Sequence, residues 1–163
     1  MVTSRVSIAA LLLCIPFAAG AQECTKLVFD RFCLGADIQT VTTAGPPELE
    51  TGGGTVHQLR YYDDAGPTSV VLYEGKIVHV SRSYGPSGAR NYTLMRGALE
   101  DRYGDGTAGS GETGTEWNAT AEEVWSQGEW SVRLTLLPNQ VVVLGYSHTA
   151  LENAARSEGQ VPF

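Results

Sequence analysis

Apolar positions along the chain form two groups of short runs, separated by one longer periodic stretch. In residues 87–106, Tyr92, Met95, Leu99 and Tyr103 recur at helical spacing and stripe one face. Arg96, Glu100, Asp101 and Arg102 fall largely on the other side. Gly104 follows the last periodic residue, where a left-handed cap suits glycine. Ahead of this helix, residues 56–62, 69–73 and 76–84 read as strands, with a tight hairpin at Glu74-Gly75. Behind it, residues 122–126, 129–137 and 140–147 repeat the pattern, with turns at Gln127-Gly128 and Pro138-Asn139. Leu34, Ile38 and Val41 are spaced as on a short helix ended by Gly45-Pro46-Pro47, and residues 52–54 are a glycine loop. Residues 149–157 predict a last short helix packed on an edge.

A shift of 64 positions lays Ile77 to Val80 over Val141 to Leu144 and Leu72 over Leu136. The order helix–strand–strand–strand therefore occurs twice, over about 34–84 and 88–147. Six strands and three helices predict an α+β domain: an antiparallel sheet of about six strands, covered on one face by helices, as a duplicated unit. Gly97 in mid-helix costs about 1 kcal/mol relative to alanine, which a close approach to the sheet would justify.

Phe32-x-Leu34-Gly35 before a short helix, then Ala44-Gly45-Pro46, and later Leu99-x-x-x-Tyr103-Gly104 before tryptophan-bearing hairpins, form an ordered set. In that order and spacing the chain resembles the helix-plus-antiparallel-sheet modules of β-lactamase inhibitor proteins and of small outer-membrane assembly lipoproteins. It lacks the lipidated cysteine of the latter. The resemblance implies a protein-binding module without catalytic activity.

Charge and cysteines sharpen this picture. Arg5, an apolar run over 6–17 and the small residues Ala19-Gly20-Ala21 read as a secretory signal over 1–21, leaving one exported domain over 22–163. The destination is the periplasm or the exterior. No later run is long and apolar enough to span a membrane as a helix. The formal charge is −7, the wrong sign for binding a phosphate backbone, so nucleic acid is not expected as a partner. A protein partner, a basic one among the options, suits it better. Cys24 and Cys33 remain after the leader and predict a disulfide in an oxidising compartment. Nine strand steps would part them by about 30 Å and nine helical steps by about 13 Å, against about 7 Å for a bridge. The intervening segment must turn back on itself, near Asp30-Arg31.

The candidate chemistry is recognition rather than reaction. Ser87, Gly88 and Tyr92 resemble the Ser-Gly-x-x-Tyr loop of exported bacterial lysozyme inhibitors, with the tyrosine one residue late. That resemblance implies an inhibitor that enters a hydrolase cleft; the alternative is a Pro-Ser-Gly turn with Ser87 or Asn91 capping the helix. Trp125 and Trp130 flank one turn, where they either pair across the hairpin or stand out as anchors. The candidate binding residues are thus Ser87, Arg90, Tyr92, Trp125 and Trp130. Asp101, Asp105, Gly106 and Glu112 match part of a calcium loop, but Tyr103 stands where an oxygen ligand is wanted. No metal or cofactor is expected. His57, His79 and His148 lack metal-site spacing, and His79 reads as a tolerated sheet position. Glu122 and Glu123 are adjacent on a strand and point to opposite faces. An enzyme with a dispersed site, drawing on carboxylates and these histidines, is the remaining alternative. Asn91-Tyr92-Thr93 and Asn118-Ala119-Thr120 are glycosylation sequons in a eukaryotic route.

Overall fold

A computed structural model describes residues 24–40, 45–86, 88–109 and 119–158. Two short strands, β1 (Lys26–Val28) and β2 (Phe32–Leu34), form a hairpin of their own. An eight-stranded antiparallel sheet carries the rest. Its first meander is β3 (Leu49–Gly53), β4 (Val56–Asp63), β5 (Gly66–Tyr73) and β6 (Lys76–Tyr84). Helix α1 (Gly88–Tyr103) then crosses over to β7 (Thr107–Ala108), β8 (Ala121–Gln127), β9 (Trp130–Leu136) and β10 (Val142–His148). The second meander joins in reverse, so β10 lies beside β6 and the sheet runs β3-β4-β5-β6-β10-β9-β8-β7. Helix α2 (Thr149–Ser157) closes the described chain.

This corrects the expected fold class. All six anticipated strands exist, but the sheet has eight members, and helices do not cover it as two equivalent units. Leu34 is a buried residue of β2, and only a single 3-10 turn, Ile38–Thr40, follows it. Val41 lies outside the described residues. Gly35 explains why no helix starts there: its φ is +83° and its N–H donates to the Ile77 carbonyl at 2.8 Å, which ties the segment to β6. The glycine stretch 52–54 is not all loop, because Gly52 and Gly53 belong to the exposed edge strand β3. Helix α2 packs on a sheet face rather than an edge.

Strand alternation sorts the core. On one face of the first meander, Leu59, Tyr61, Val70, Leu72, Ile77 and Val80 pack under Val28, Phe32 and Leu34 of the β1–β2 hairpin. On the same face of the second, Trp125, Val132, Leu134, Leu136, Val142 and Leu144 pack under Leu99, with Tyr92, Met95 and Tyr103 of α1 beside it. On the opposite face, Val71, Tyr73 and Val78 pack against Ala155 of α2, flanked by Leu151 and Ala154. A register shift between Val71 and Leu72 leaves Val78 as an extra residue on β6. That bulge is why Ile77 and Val80, three apart, share a face while Val78 turns to α2.

The hairpin is held at both ends. Cys24 and Cys33 form a disulfide with Cα atoms 5.3 Å apart. Its turn is Phe29-Asp30, at φ +50° and +55°, closed by the Arg31 N–H donating to the Val28 carbonyl at 3.1 Å. Two non-glycine residues in the left-handed region are costly alone and persist where surroundings fix them. Here Arg82 supplies part of the fixing: it donates to Thr68 Oγ1 at 2.9 Å and Asp63 Oδ2 at 3.1 Å, and its guanidinium lies 4.3 Å from the Phe29 ring centre. Arg31 donates to the same Asp63 oxygen at 3.1 Å.

Among the described residues no helix is long and apolar enough to cross a membrane.

Candidate binding site at the hairpin–helix seam

The two covers of the buried face meet over β10, and aromatic rings fill the join. Phe29, Trp130 and Tyr146 each pack against both halves of the core. Phe29 meets Tyr146 edge-on at 5.7 Å between ring centres; Trp130 lies 6.2 Å from Tyr146 and 5.5 Å from Tyr103 in a T-shaped pair. Local structure places each ring. Phe29 rides the strained turn, Tyr103 ends α1 just before Gly104 at φ +82°, and Trp130 opens β9 after a turn with Gly128 at φ +70°. All four are partly exposed, so their rims form part of the surface. Edge-to-face geometry is what ring quadrupoles favour, at about 0.5–1.5 kcal/mol per pair beyond area burial.

Two cations border this cluster. Lys26 Nζ lies 4.7 Å from the Trp130 ring centre, and the Arg102 guanidinium lies 5.4 Å from that of Tyr103. Neither has a carboxylate partner among the described residues. Arg60, Lys76 and Arg90 share that lack, but of the cations that lie over aromatic rings Arg31 and Arg82 have an acid beside them and Lys26 and Arg102 do not. Burial pushes the Tyr146 hydroxyl pKa up, and the neighbouring Tyr103 phenol, hydrogen-bonded to it, pushes it further. The Tyr146 phenol stays neutral at ordinary pH. The seam therefore offers ring faces, phenolic hydroxyls and two positive charges without acidic partners among the described residues.

The anticipated residues are distributed unevenly. Trp130 is in the seam. Trp125 is buried at 2 % exposure and its indole N–H donates to the Gly104 carbonyl at 2.8 Å, so it anchors the end of α1 instead of facing a partner. Tyr92 is half-buried against the second half of the core, its hydroxyl pKa raised by burial. Arg90 is exposed on the first turn of α1, away from Trp130 in sequence and fold. Ser87 lies outside the described residues, as do Glu112, Trp117 and Asn118. Asp101 and Asp105 are exposed, and among the described residues no three His, Cys, Asp or Glu side chains converge as metal ligands would. Gly106 has a packing role: a Cβ there would come within 2.6 Å of Glu123 and 2.7 Å of Trp125. Glu123 pairs with Arg96 under α1, while Glu122 faces the other way, 3.9 Å from Arg133.

Sequence reading missed Lys26, Phe29, Arg102, Tyr103 and Tyr146 as site residues, placing Tyr103 only on the buried stripe of α1. Phe29 carried one signal, an aromatic residue midway between two bridged cysteines. Tyr146 carried none, since its neighbours depend on β10 pairing with both β6 and β9.

A second polar group lies on the opposite face. His79 Nδ1 is 2.9 Å from Ser147 Oγ, and Ser147 also hydrogen-bonds Glu152 of α2. Gly145 makes room for the imidazole, because a Cβ there would stand 2.8 Å from its Cε1. The order is wrong for nucleophilic catalysis: the hydroxyl bridges base and acid, whereas a triad puts the imidazole between them. Ser147 is also buried, at 7 % exposure. No family model, curated protein or solved structure matches the chain.

Proposed function

We propose that this protein is an exported, non-catalytic binding module that recognises a protein partner through the hairpin–helix seam. The observation that carries the reading is the pair of cations, Lys26 and Arg102, beside the partly exposed Trp130 and Tyr103 rings and without acidic partners among the described residues. Rings and hydroxyls grip the rim of an apolar group, and the cations take a carboxylate. The net charge of −7 repels a polyanion. It favours a neutral or basic body that presents one or two acidic groups to the seam. The leader-like residues 1–21 and the Cys24–Cys33 bridge support an oxidising, exported setting.

The test is retention of a partner from the exported fraction on immobilised protein, compared across variants. Trp130→Ala and Lys26→Glu should each weaken retention at least tenfold, while Arg90→Glu, distant from the seam, should leave it intact. Equal retention by all three, or loss only with Arg90→Glu, would remove the seam as the recognition face.

A further inference from the structure

Helix α1 turns two faces in opposite directions. Tyr92, Met95, Leu99 and Tyr103 lie on the sheet side, and Arg96 flanks them, held by Glu100 and by Glu123 of β8. At about 100° per residue, Arg90, Leu94, Gly97 and Asp101 fall within about 60° of one another on the side opposite, with Ala98 next to them. Leu94 is 63 % exposed, more than any other large apolar side chain among the described residues. Gly97 has open space over it: a Cβ there meets nothing within 4 Å outside the helix's own nearby backbone. Arg90 and Asp101 are exposed, and neither has an ion-pair partner among the described residues.

Along this face the order is positive, apolar, hollow, negative, and that order complements its own reverse. A two-fold axis between residues 95 and 96 lays a second α1 antiparallel on the first. Residue 90 then meets residue 101 of the other copy, and residue 94 meets residue 97, because both pairs are centred on the same point of the helix. Each leucine enters the hollow over the other copy's glycine, and each arginine meets the other copy's aspartate, so every contact is made twice. A glycine at the crossing lets the two backbones approach closely enough for the leucine to seat. A parallel two-fold pair would instead set Arg90 against Arg90 and Asp101 against Asp101, which repel.

We infer that the outward face of α1 is covered by a second copy of this chain: two α1 helices pack antiparallel through Leu94 and Gly97, with an Arg90–Asp101 ion pair at each end setting the register. The net charge of −7 opposes the approach of two copies in general. The complementary ends therefore select this one orientation. One helix face is a small interface, and the pair is reversible. In the dilute solutions used for melts the chains are single, and there residue 97 answers to helix propensity alone. The pairing is independent of the seam reading: retention on immobilised chains needs no pair, and pairing needs neither Lys26 nor Trp130.

Sedimentation equilibrium at about 0.15 M salt, where surface charges act over about 8 Å, reads the pairing directly. The unmutated chain should pair reversibly with a Kd of about 0.1 mM. Arg90→Asp and Asp101→Arg should each weaken pairing at least tenfold when alone. Mixed in equal amounts, the two variants should pair with each other as well as the unmutated chain pairs with itself, because only the mixed pair matches at both ends. Gly97→Gln keeps a good helix former and should weaken pairing at least tenfold by filling the hollow. A chain that stays single up to about 1 mM overturns the proposal. So does a mixture that pairs no better than its separate components, or a Gly97→Gln chain that pairs unchanged.

Discussion

The two halves of the sheet bury the same face by different means. Over β4–β6 the cover is a hairpin of two three-residue strands, closed by a disulfide and pinned by Arg82 and Asp63. Over β8–β10 it is a 16-residue helix, laid down by a stripe of four side chains. A hairpin of that size cannot hold a fold on strand pairing alone. It delivers Val28, Phe32 and Leu34, each at 2 % exposure or less, only because the bridge removes disorder from the unfolded chain and the salt bridges fix its tip. The helix needs no staple, because its hydrogen bonds are internal and its apolar stripe long enough. One half is secured covalently and the other by periodicity.

The largest effect follows from cutting the hairpin's anchor. Phe32→Ala empties a fully buried site and should cost about 3–5 kcal/mol, read as a lower urea midpoint. Trp125 packs in the helix half alone, whereas Trp130 packs against both halves, so with Trp117→Phe and Trp130→Phe in the background the remaining fluorescence reports on the half that was not mutated. Because β6 and β10 pair over six residue positions, the fluorescence transition should shift with the circular-dichroism transition. A fluorescence midpoint left in place would show that the halves unfold separately.

Next comes acid. His79 has a folded pKa near 4, below the 6.5 of a free imidazole. The folded state therefore binds fewer protons than the unfolded chain between those values. Its contribution is whole above pH 6.5 and falls away as pH drops towards 4, by on the order of 2–3 kcal/mol. Glu152, with a depressed carboxyl pKa, adds a loss of the same sign at lower pH. Guanidinium melts from pH 7.5 to 4 should show this slope, and His79→Gln should flatten it; a slope unchanged by that substitution would move its origin elsewhere.

Removing the staple tests the asymmetry itself. Cys24→Ser with Cys33→Ser should cost about 2–3 kcal/mol in thermal stability. It should raise amide exchange in β1 and β2 while leaving α1 near its native protection. Equal loosening of α1 would mean that the hairpin supports both halves.

How far the residues announced this arrangement depends on how local each cause is. The stripe of α1, the hairpin turn at Glu74-Gly75 and the six long strands are written in spacing and turn chemistry, and each is present. The disulfide followed from two cysteines and chain geometry. The covers did not follow. Leu34 and Ile38 carry helical spacing, yet Gly35 takes a left-handed conformation and bonds to Ile77, a contact 42 positions away that no local pattern encodes. The symmetry of the strand pattern suggested symmetric covers, and non-local pairing overrode it. The seam was least visible of all. It joins Lys26, Phe29, Tyr103, Trp130 and Tyr146 from four elements, and only Trp130 was marked beforehand as a binding residue.

Gly97 gives the smallest effect and probes the helix half alone. A glycine in mid-helix invites the explanation that the sheet comes too close for a side chain. The geometry denies it: a Cβ built at Gly97 meets nothing within 4 Å outside the helix's own nearby backbone. Nor does Gly97 carry a positive φ that would require glycine. With neither reason in force, Gly97→Ala should lower the entropy of the unfolded chain and stabilise the protein by about 0.5–1 kcal/mol. A rise of a few degrees in melting temperature, with no change at the hairpin, would mark α1 as a cover with stability in reserve, which the stapled half does not have. A fall would mean that the middle of α1 bends or meets a partner in solution, and the contrast between a covalent and a periodic cover would then have to include a helix kept weak on purpose.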